Sequence, residues 1–224
     1  MLFPVADMPP ALTRESVDRG QLSRKVRGEE RRARALERLV DVFAKRGYQA
    51  ATVDHLIAGG QISMGSFYKD FEGKEDCFVA VYDLVEAEAR ERIAAAVPAQ
   101  ADWAATATCG VRAAVEYAAG RPMAARLVLL EAQTGGERAL GRYDATLKAL
   151  AAFLREGRSQ AGAAEDLPAS FEDATVSGLA WLLQSRLAAG RIEDPGELWP
   201  LMARMVLEPY LGATGAEKAI RAHS

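Results

Sequence analysis

The stretch TVDHLIAGGQISMGSFYKDFEGKEDCF, residues 52–78, decides how this chain is read. Thr52 is placed to cap a short helix from Val53 to about Gly59, because a hydroxyl ahead of the first turn can accept one of the orphan N–H groups there. Gly59-Gly60 breaks that helix, and Ser63 is placed to cap a second, from Met64 to about Lys69. Gly73 ends the connection to a longer helix beginning at Lys74. Two short capped helices joined by a Gly-containing turn of three or four residues fit the helix-turn-helix plan. In that plan the first helix braces on the phosphate backbone and the second puts its N-terminal residues against base edges. Gly65 and Ser66 are small enough for close approach to a duplex, and Tyr68 and Lys69 can reach phosphate oxygens. Phe67 is expected to pack underneath.

Upstream, Ala33, Leu36, Val40 and Phe43 recur at three- and four-residue steps and predict a helix from Ser23 that stops at Lys45-Arg46-Gly47-Tyr48. Residues 1–22 hold three prolines and no periodicity, and are expected to form a flexible arm. Downstream, the helix from Lys74 is expected to reach about Val97, with Glu86–Arg90 and Glu88–Arg92 as supporting i, i+4 pairs. Pro98, Pro122, Pro168 and Pro195 then separate helical stretches near 102–119, 122–134, 137–160, 170–189 and 195–211. Pro122 and Pro195 suit first-turn positions. Pro200 and Pro209 are awkward inside one helix, which is expected to start late or kink. The Gly/Ala-rich loop at 160–169 is expected to be mobile. Nothing reads as paired strands. The expected fold is all-α: an N-terminal three-helix head (23–73), a larger helical ligand-binding and dimerisation body (74–213), and a flexible tail (214–224).

Composition narrows the function classes. In 224 residues, 50% are hydrophobic and 26% charged, a balance unlike that of disordered or collagen-like chains. Cys77 and Cys109 are too few for a disulfide framework and look like small buried hydrophobes. His55 and His223 leave little material for catalytic or metal clusters, so no enzyme activity, metal or cofactor is expected. Neither a signal peptide nor a membrane-spanning run is visible, which points to a cytoplasmic protein. The net charge of −3 hides an asymmetry: residues 14–48 carry eleven Arg/Lys against six acids. A basic front suits a polyanionic partner, and equally a solvated helix face laced with ion pairs.

The residues of the opening stretch resemble those of the TetR family of bacterial transcriptional regulators. Thr52-Val53, Ile62-Ser63-Met64-Gly65-Ser66-Phe67-Tyr68-Lys69-Asp70-Phe71 and Gly73-Lys74-Glu75 match that family's Thr-Val, Val-Ser-x-Gly-Thr-Phe-Tyr-x-His-Phe and Ser-Lys-Glu. Phe43-Ala44-Lys45-Arg46-Gly47-Tyr48 resembles the end of its first helix, so the resemblance spans residues 36–78. It implies a homodimer with two heads on double-stranded DNA, and a body that binds a small molecule and dimerises through its last two long helices. By position, Thr52 would cap its helix and hold a phosphate, and Ser63, Met64, Gly65 and Ser66 would face bases. Tyr68, Lys69 and Lys74 would hold the backbone, while Arg24, Lys25 and Arg27 would extend an arm along the duplex. The chain departs from the family at the turn, which reads Gly60-Gln61 in place of Ala-Gly. Either Gln61 takes the left-handed conformation at a cost on the order of 1 kcal/mol, or the turn shifts to use Gly60. Ile57 also stands where a small Ala is common.

In the body, Trp103, Tyr117, Met123, Phe153, Trp181 and Gln184 are the candidates for lining a ligand pocket, with core packing as the alternative. Gln184 is the most informative, because a buried amide needs a partner. Ser177 and Gly178 flatten one helix face and suit a two-fold interface, with Trp199, Met202 and Val206 as its other half. The expected function is a ligand-responsive DNA-binding regulator, a repressor released by a small apolar effector. The alternative is a helical interaction or ligand-sequestering protein that no longer binds DNA specifically.

Overall fold

The computed structural model describes residues 14–159, 166–190, 192 and 194–223, with side chains from Val26 onward. Among these residues the secondary structure is helical throughout: α1 (Arg14–Arg46), α2 (Val53–Gly60), α3 (Met64–Asp70), α4 (Lys74–Ala96), α5 (Trp103–Gly120), α6 (Pro122–Leu129), α7 (Glu137–Glu156), α8 (Phe171–Ala188) and α9 (Pro195–Ala222). Short 3-10 turns at Glu131–Thr134 and Gly157–Ser159 follow α6 and α7.

Local chemistry sets most of these ends. Thr52 and Ser63 cap α2 and α3 as expected, and Asp102 and Asp194 cap α5 and α9 in the same way. Pro122 and Pro195 occupy first-turn positions, where a missing N–H leaves nothing unpaired. The Glu86–Arg90 and Glu88–Arg92 pairs form along α4. Three boundaries differ from the sequence reading. Helix α1 begins at Arg14 rather than Ser23, so the part of the expected arm that can be described is helical; residues 1–13 lie outside the described residues. Helix α9 accepts Pro200 and Pro209 and breaks instead at Gly212, whose φ of 68° and ψ of 169° interrupt the helix. Beyond that break the helix resumes to Ala222 and buries Ala216 and Ile220, so residues 214–222 are packed helix where a tail was expected. Of the loop expected to be mobile, residues 160–165 lie outside the described residues.

Two apolar clusters organise the chain. One joins Leu36, Leu39 and Phe43 of α1, Leu56 of α2, Phe67 of α3 and Phe78, Val81 and Val85 of α4 to Tyr117, Leu127 and Ala139. The other joins Trp103 and Val115 of α5, Leu154 of α7 and Val176 of α8 to a long stripe on α9. The first cluster crosses the boundary expected at residue 73: the head shares its core with α4 and α6.

The turn between α2 and α3 keeps its register. Gln61 takes the left-handed conformation (φ 54°, ψ 46°), and Gly60 stays helical and buried. Gln61 N–H donates to Ala58 O at 3.3 Å and Ile62 N–H to Ile57 O at 3.2 Å, the paired bonds that close a helix end around a left-handed residue. Gly59 is needed where it stands, since a Cβ there would lie 2.2 Å from Cγ2 of Val42 on α1.

A buried ion pair holds the far end of the body. Glu172, fully buried on α8, accepts Arg158 Nε at 2.6 Å and Nη2 at 2.9 Å, and the Tyr210 hydroxyl of α9 donates to it at 3.0 Å. Arg158 also donates to the carbonyls of Leu167 and Pro168. The guanidinium holds the Glu172 carboxyl down to about 2, from an ordinary 4.5.

Two outcomes are expected. Glu172→Gln removes the buried carboxylate that the Arg158 guanidinium and the Tyr210 hydroxyl both hold, so urea unfolding at neutral pH should show a clear loss of stability. Because the carboxyl is depressed in the folded state, its contribution is complete above pH 4.5 and is lost as pH falls towards 2; the gap between wild type and variant should close over that window. Gln61→Gly removes left-handed strain at the turn and should raise stability by about 1 kcal/mol or less, the gain being offset by the greater unfolded-state freedom of glycine. Thermal unfolding measures it.

Candidate nucleic-acid interface

Helix α3 is amphipathic over only two turns. Phe67 is fully buried, its ring 5.4 Å from that of Phe71, and this contact fixes which side of α3 faces inward. The opposite side carries Met64 (53% exposed), Gly65, Tyr68 (56% exposed) and Lys69. Nothing lies within 4 Å of where a Cβ on Gly65 would sit, so the helix offers an open, shallow face at that point. Ser63 Oγ accepts Ser66 N–H at 3.1 Å and lies 3.0 Å from Ser66 Oγ, which holds both hydroxyls at the helix N-terminus. The same end supplies backbone N–H groups that suit an anionic or acceptor-rich partner.

Thr52 makes a reciprocal cap with His55: Thr52 Oγ1 accepts His55 N–H, and His55 Nδ1 accepts Thr52 N–H, both at 3.3 Å. His55 therefore has a structural task in the head. Thr52 remains exposed, on the same motif as Ser63. Lys74 behaves differently from expectation. Its ammonium turns back to the carbonyls of Tyr48 at 3.0 Å and Gln49 at 3.4 Å, and stands 4.4 Å from the Tyr48 ring centre.

Arg24 and Lys25 lie in α1, with side chains outside the described residues; Arg27 is exposed on the same helix. The charge count of the sequence reading did not resolve a pattern along this helix. Arg27, Arg31, Arg34 and Arg38 recur at steps of four, three and four, which places them on one helix face. From Val26 to Arg34 every residue but Gly28 is exposed, and Arg38 Nη1 reaches Gly60 O at 3.5 Å beside the α2–α3 turn. The spacing lies within the helix expected from Ser23, so the face was available in the sequence.

The candidates for the ligand pocket are not gathered into one site. Trp103 and Phe153 stack at 6.3 Å in the second cluster, where Trp103 Nε1 donates to Phe153 O at 3.1 Å. Tyr117 and Met123 belong to the first cluster, and the Tyr117 hydroxyl donates to Glu88. Trp181 is 66% exposed on α8. Gln184 has found partners, with Nε2 2.9 Å from both Leu129 O and Tyr143 Oη.

The expected dimer residues on α9 require correction. Trp199, Met202 and Val206 are buried within their own subunit, in the cluster that α9 shares with α5. The apolar period was read correctly and its phase was not: these residues form the inward stripe, and Leu201 and Met205 are the exposed apolar residues of the helix. On α8, Ser177 is exposed and Gly178 half-buried. Cys77 is buried, which pushes its thiol up to about 12, and Cys109 is half-buried rather than buried. Among the described residues, no group of three or more His, Cys, Asp or Glu is placed to hold a metal, and no helix is long and apolar enough to cross a membrane.

Residues 35–81 match the sequence profile of the bacterial regulatory proteins of the tetR family. No curated protein sequence matches the chain. Solved structures resemble it over most of its length. The fatty acid degradation regulator FadR from Bacillus halodurans is 16% identical with a TM-score of 0.67, covering 82% of this chain and 96% of its own. FadR from Bacillus subtilis, solved in complex with stearoyl-CoA, is 17% identical with a TM-score of 0.65, covering 80% and 98%. A TetR-like transcriptional regulator from Rhodococcus sp. RHA1 is 17% identical with a TM-score of 0.63, covering 80% and 94%. Residues 35–81 thus carry the sequence signature of the bacterial regulatory proteins of the tetR family, and over about four-fifths of the chain the fold resembles that of a solved TetR-like regulator.

Proposed function

We propose that this protein is a homodimeric transcriptional regulator, a repressor that a small apolar effector releases from its operator. The observation that carries the reading is the outer face of α3, where the open surface at Gly65 is flanked by Met64, Ser66, Tyr68 and Lys69 while Phe67 anchors the opposite side. In this reading Ser63, Met64, Gly65 and Ser66 meet base edges, and Thr52, Tyr68 and Lys69 hold phosphates. Lys74 acts indirectly, by holding the loop between α1 and α2. We assign the head to residues 23–73 and the body to residues beyond, and no catalytic role to either. The protein works in the cytoplasm, where its DNA lies.

The exposed apolar residues Trp181, Leu201 and Met205, with Ser177 and Gly178, support a two-fold interface through α8 and α9. Such a dimer sets its two α3 helices for half-sites about 34–36 Å apart, one turn of duplex. An apolar effector suits a body whose helices pack through apolar clusters such as that of Trp103 and Phe153. Fatty acid regulators with this fold, one of them solved with stearoyl-CoA, favour that chemistry. Release requires the effector to bind one head arrangement better than the other, and the coupling is reciprocal. The basic face of α1, with Arg27, Arg31 and Arg34 and with Arg24 and Lys25 earlier on the helix, supports a rigid rail along the phosphates.

Two experiments test the reading. Gly65→Ala adds a methyl where the protein has open space and replaces a glycine in the first turn of α3. Stability should rise by at most about 0.5–1 kcal/mol, while affinity for a duplex selected from a random pool by the wild-type protein falls; unchanged affinity would place the interface elsewhere. Replacing Arg27, Arg31 and Arg34 together by Gln should lower the slope of log K against log salt. Each lost phosphate contact contributes about 0.9, and a dimer loses up to about 5 in all. A wild-type protein showing no salt-sensitive binding to duplex DNA would favour the ligand-sequestering alternative.

A further inference from the structure

Helix α6 lies along the C-terminal half of α1 and is tied to it at both ends. At its start, Arg121 Nη2 stands 3.2 Å from Glu37 of α1 and 2.8 Å from Glu88 of α4. Just past its end, Glu131 Oε2 accepts the backbone N–H of Tyr48 at 2.9 Å. Gly47 makes this second tie possible: its φ of +78° turns the chain out of α1, and a Cβ there would come within 3.3 Å of the same carboxylate oxygen. Two more contacts hold the loop. Gln49 Nε2 donates to Thr134 O at 2.9 Å, and Lys74 Nζ donates to the Tyr48 and Gln49 carbonyls. From the other side, the end of α6 is held by α8 through Gln184 and Leu129 O.

The two ties are unequal. Arg121 and Glu37 are both substantially exposed, so water and salt screen the pair and it contributes little. Glu131 makes a charge-assisted bond to the backbone N–H of Tyr48, in the loop that leaves α1. Losing the acceptor strands that donor.

We infer that Glu131 is a positioning residue: its carboxylate, seated on the Tyr48 amide, fixes the angle between the DNA-contacting head and the body. A shift of α6 against α8 passes to the loop between α1 and α2 through this contact, and from there to α2 and α3. The consequence for regulation rests on the DNA-binding reading above; the positioning itself does not.

The test uses the full chain with Cys109 replaced by Ala and Cys77 retained, since it is buried. Spin labels are placed at Asp70→Cys on the head and Lys148→Cys on the body, both exposed, and the labelled protein is diluted with unlabelled protein. Double electron–electron resonance reads the head–body distance, and hydrogen exchange reads the Tyr48 amide. Glu131→Ala should broaden the distance distribution and speed exchange at Tyr48 by about tenfold. Glu131→Gln, whose amide oxygen still accepts, should restore a narrow distribution. The inference is overturned if Glu131→Ala leaves the distribution unchanged, or if Glu131→Gln broadens it equally. It is also overturned if exchange at Leu39 and Val81 accelerates as much as at Tyr48, because the variant would then only have loosened the core. If the label results hold and the wild-type protein still fails to bind a mixed-sequence duplex, the positioning role is supported and the DNA-binding reading falls.

Discussion

The ring of Phe78 is the apolar contact around which head and body pack, and within that packing the polar contacts of the junction set the angle. It meets Phe43 edge-on at 4.9 Å and Tyr48 at 5.1 Å, so one residue from the start of α4 joins the end of α1 to the loop that follows it. Interiors packed this way have few alternative arrangements, and a rotation of the head would open a gap beside all three rings. The same cluster takes in Phe67 and Phe71 from α3. The orientation of α3 is therefore set from its buried side, and its outer side is left free to be small and polar. The head is an outgrowth of a core that it shares with the body.

Charge is arranged along the same axis. Residues 14–48 carry a positive excess, and the rest of the chain carries the negative excess that makes the whole acidic. Many body charges answer one another, as in Arg138–Asp76, Arg142–Asp83 and Arg204–Glu217. A polyanion approaching such a molecule is drawn to the head and turned away by the body, so the field orients the encounter before any base is touched. Polar contacts at the junction then refine what the apolar core has set. They lie at its rim, where geometry decides more than strength does.

The legible parts of the sequence were those governed by local chemistry. Thr52, Ser63, Pro122 and Pro195 announced their helix ends because a cap or a missing N–H acts within one turn. Phe67 announced its burial because it is the apolar member of a polar run. Three things were not legible. The start of α1 depends on a helix with no apolar periodicity, so residues 14–22 gave no signal. On α9 the apolar residues 199, 202, 203, 206, 207 and 210 and the apolar residues 201 and 205 both recur at helical spacing. Which stripe faces inward is decided by the match to α5, a property of two helices together. Glu172 is by sequence a first-turn acid with no mark of burial, and only the approach of Arg158 and Tyr210 makes it a buried anchor. The candidate DNA-contacting residues of α3 could be named in advance, while Glu131 could not, because its partner is 83 residues away.

The Gly60-Gln61 turn shows how such conflicts are decided. Moving the left-handed position back one residue to Gly60 would spare a non-glycine residue roughly 1–2 kcal/mol. It would also start α3 one residue early and rotate its side chains by about 100° around the helix axis. Phe67 would leave the core, forfeiting about 1.5–3 kcal/mol of burial, and Gly60 would lose its seat against Leu39. Backbone strain at one residue is the smaller cost, and the bonds from Gln61 and Ile62 to the end of α2 offset part of it. The departure from the family pattern at the turn is thus absorbed at Gln61 itself. The face that α3 presents is kept because the opposite face is apolar, and the exposed residues of α3 are positioned by a buried one, Phe67.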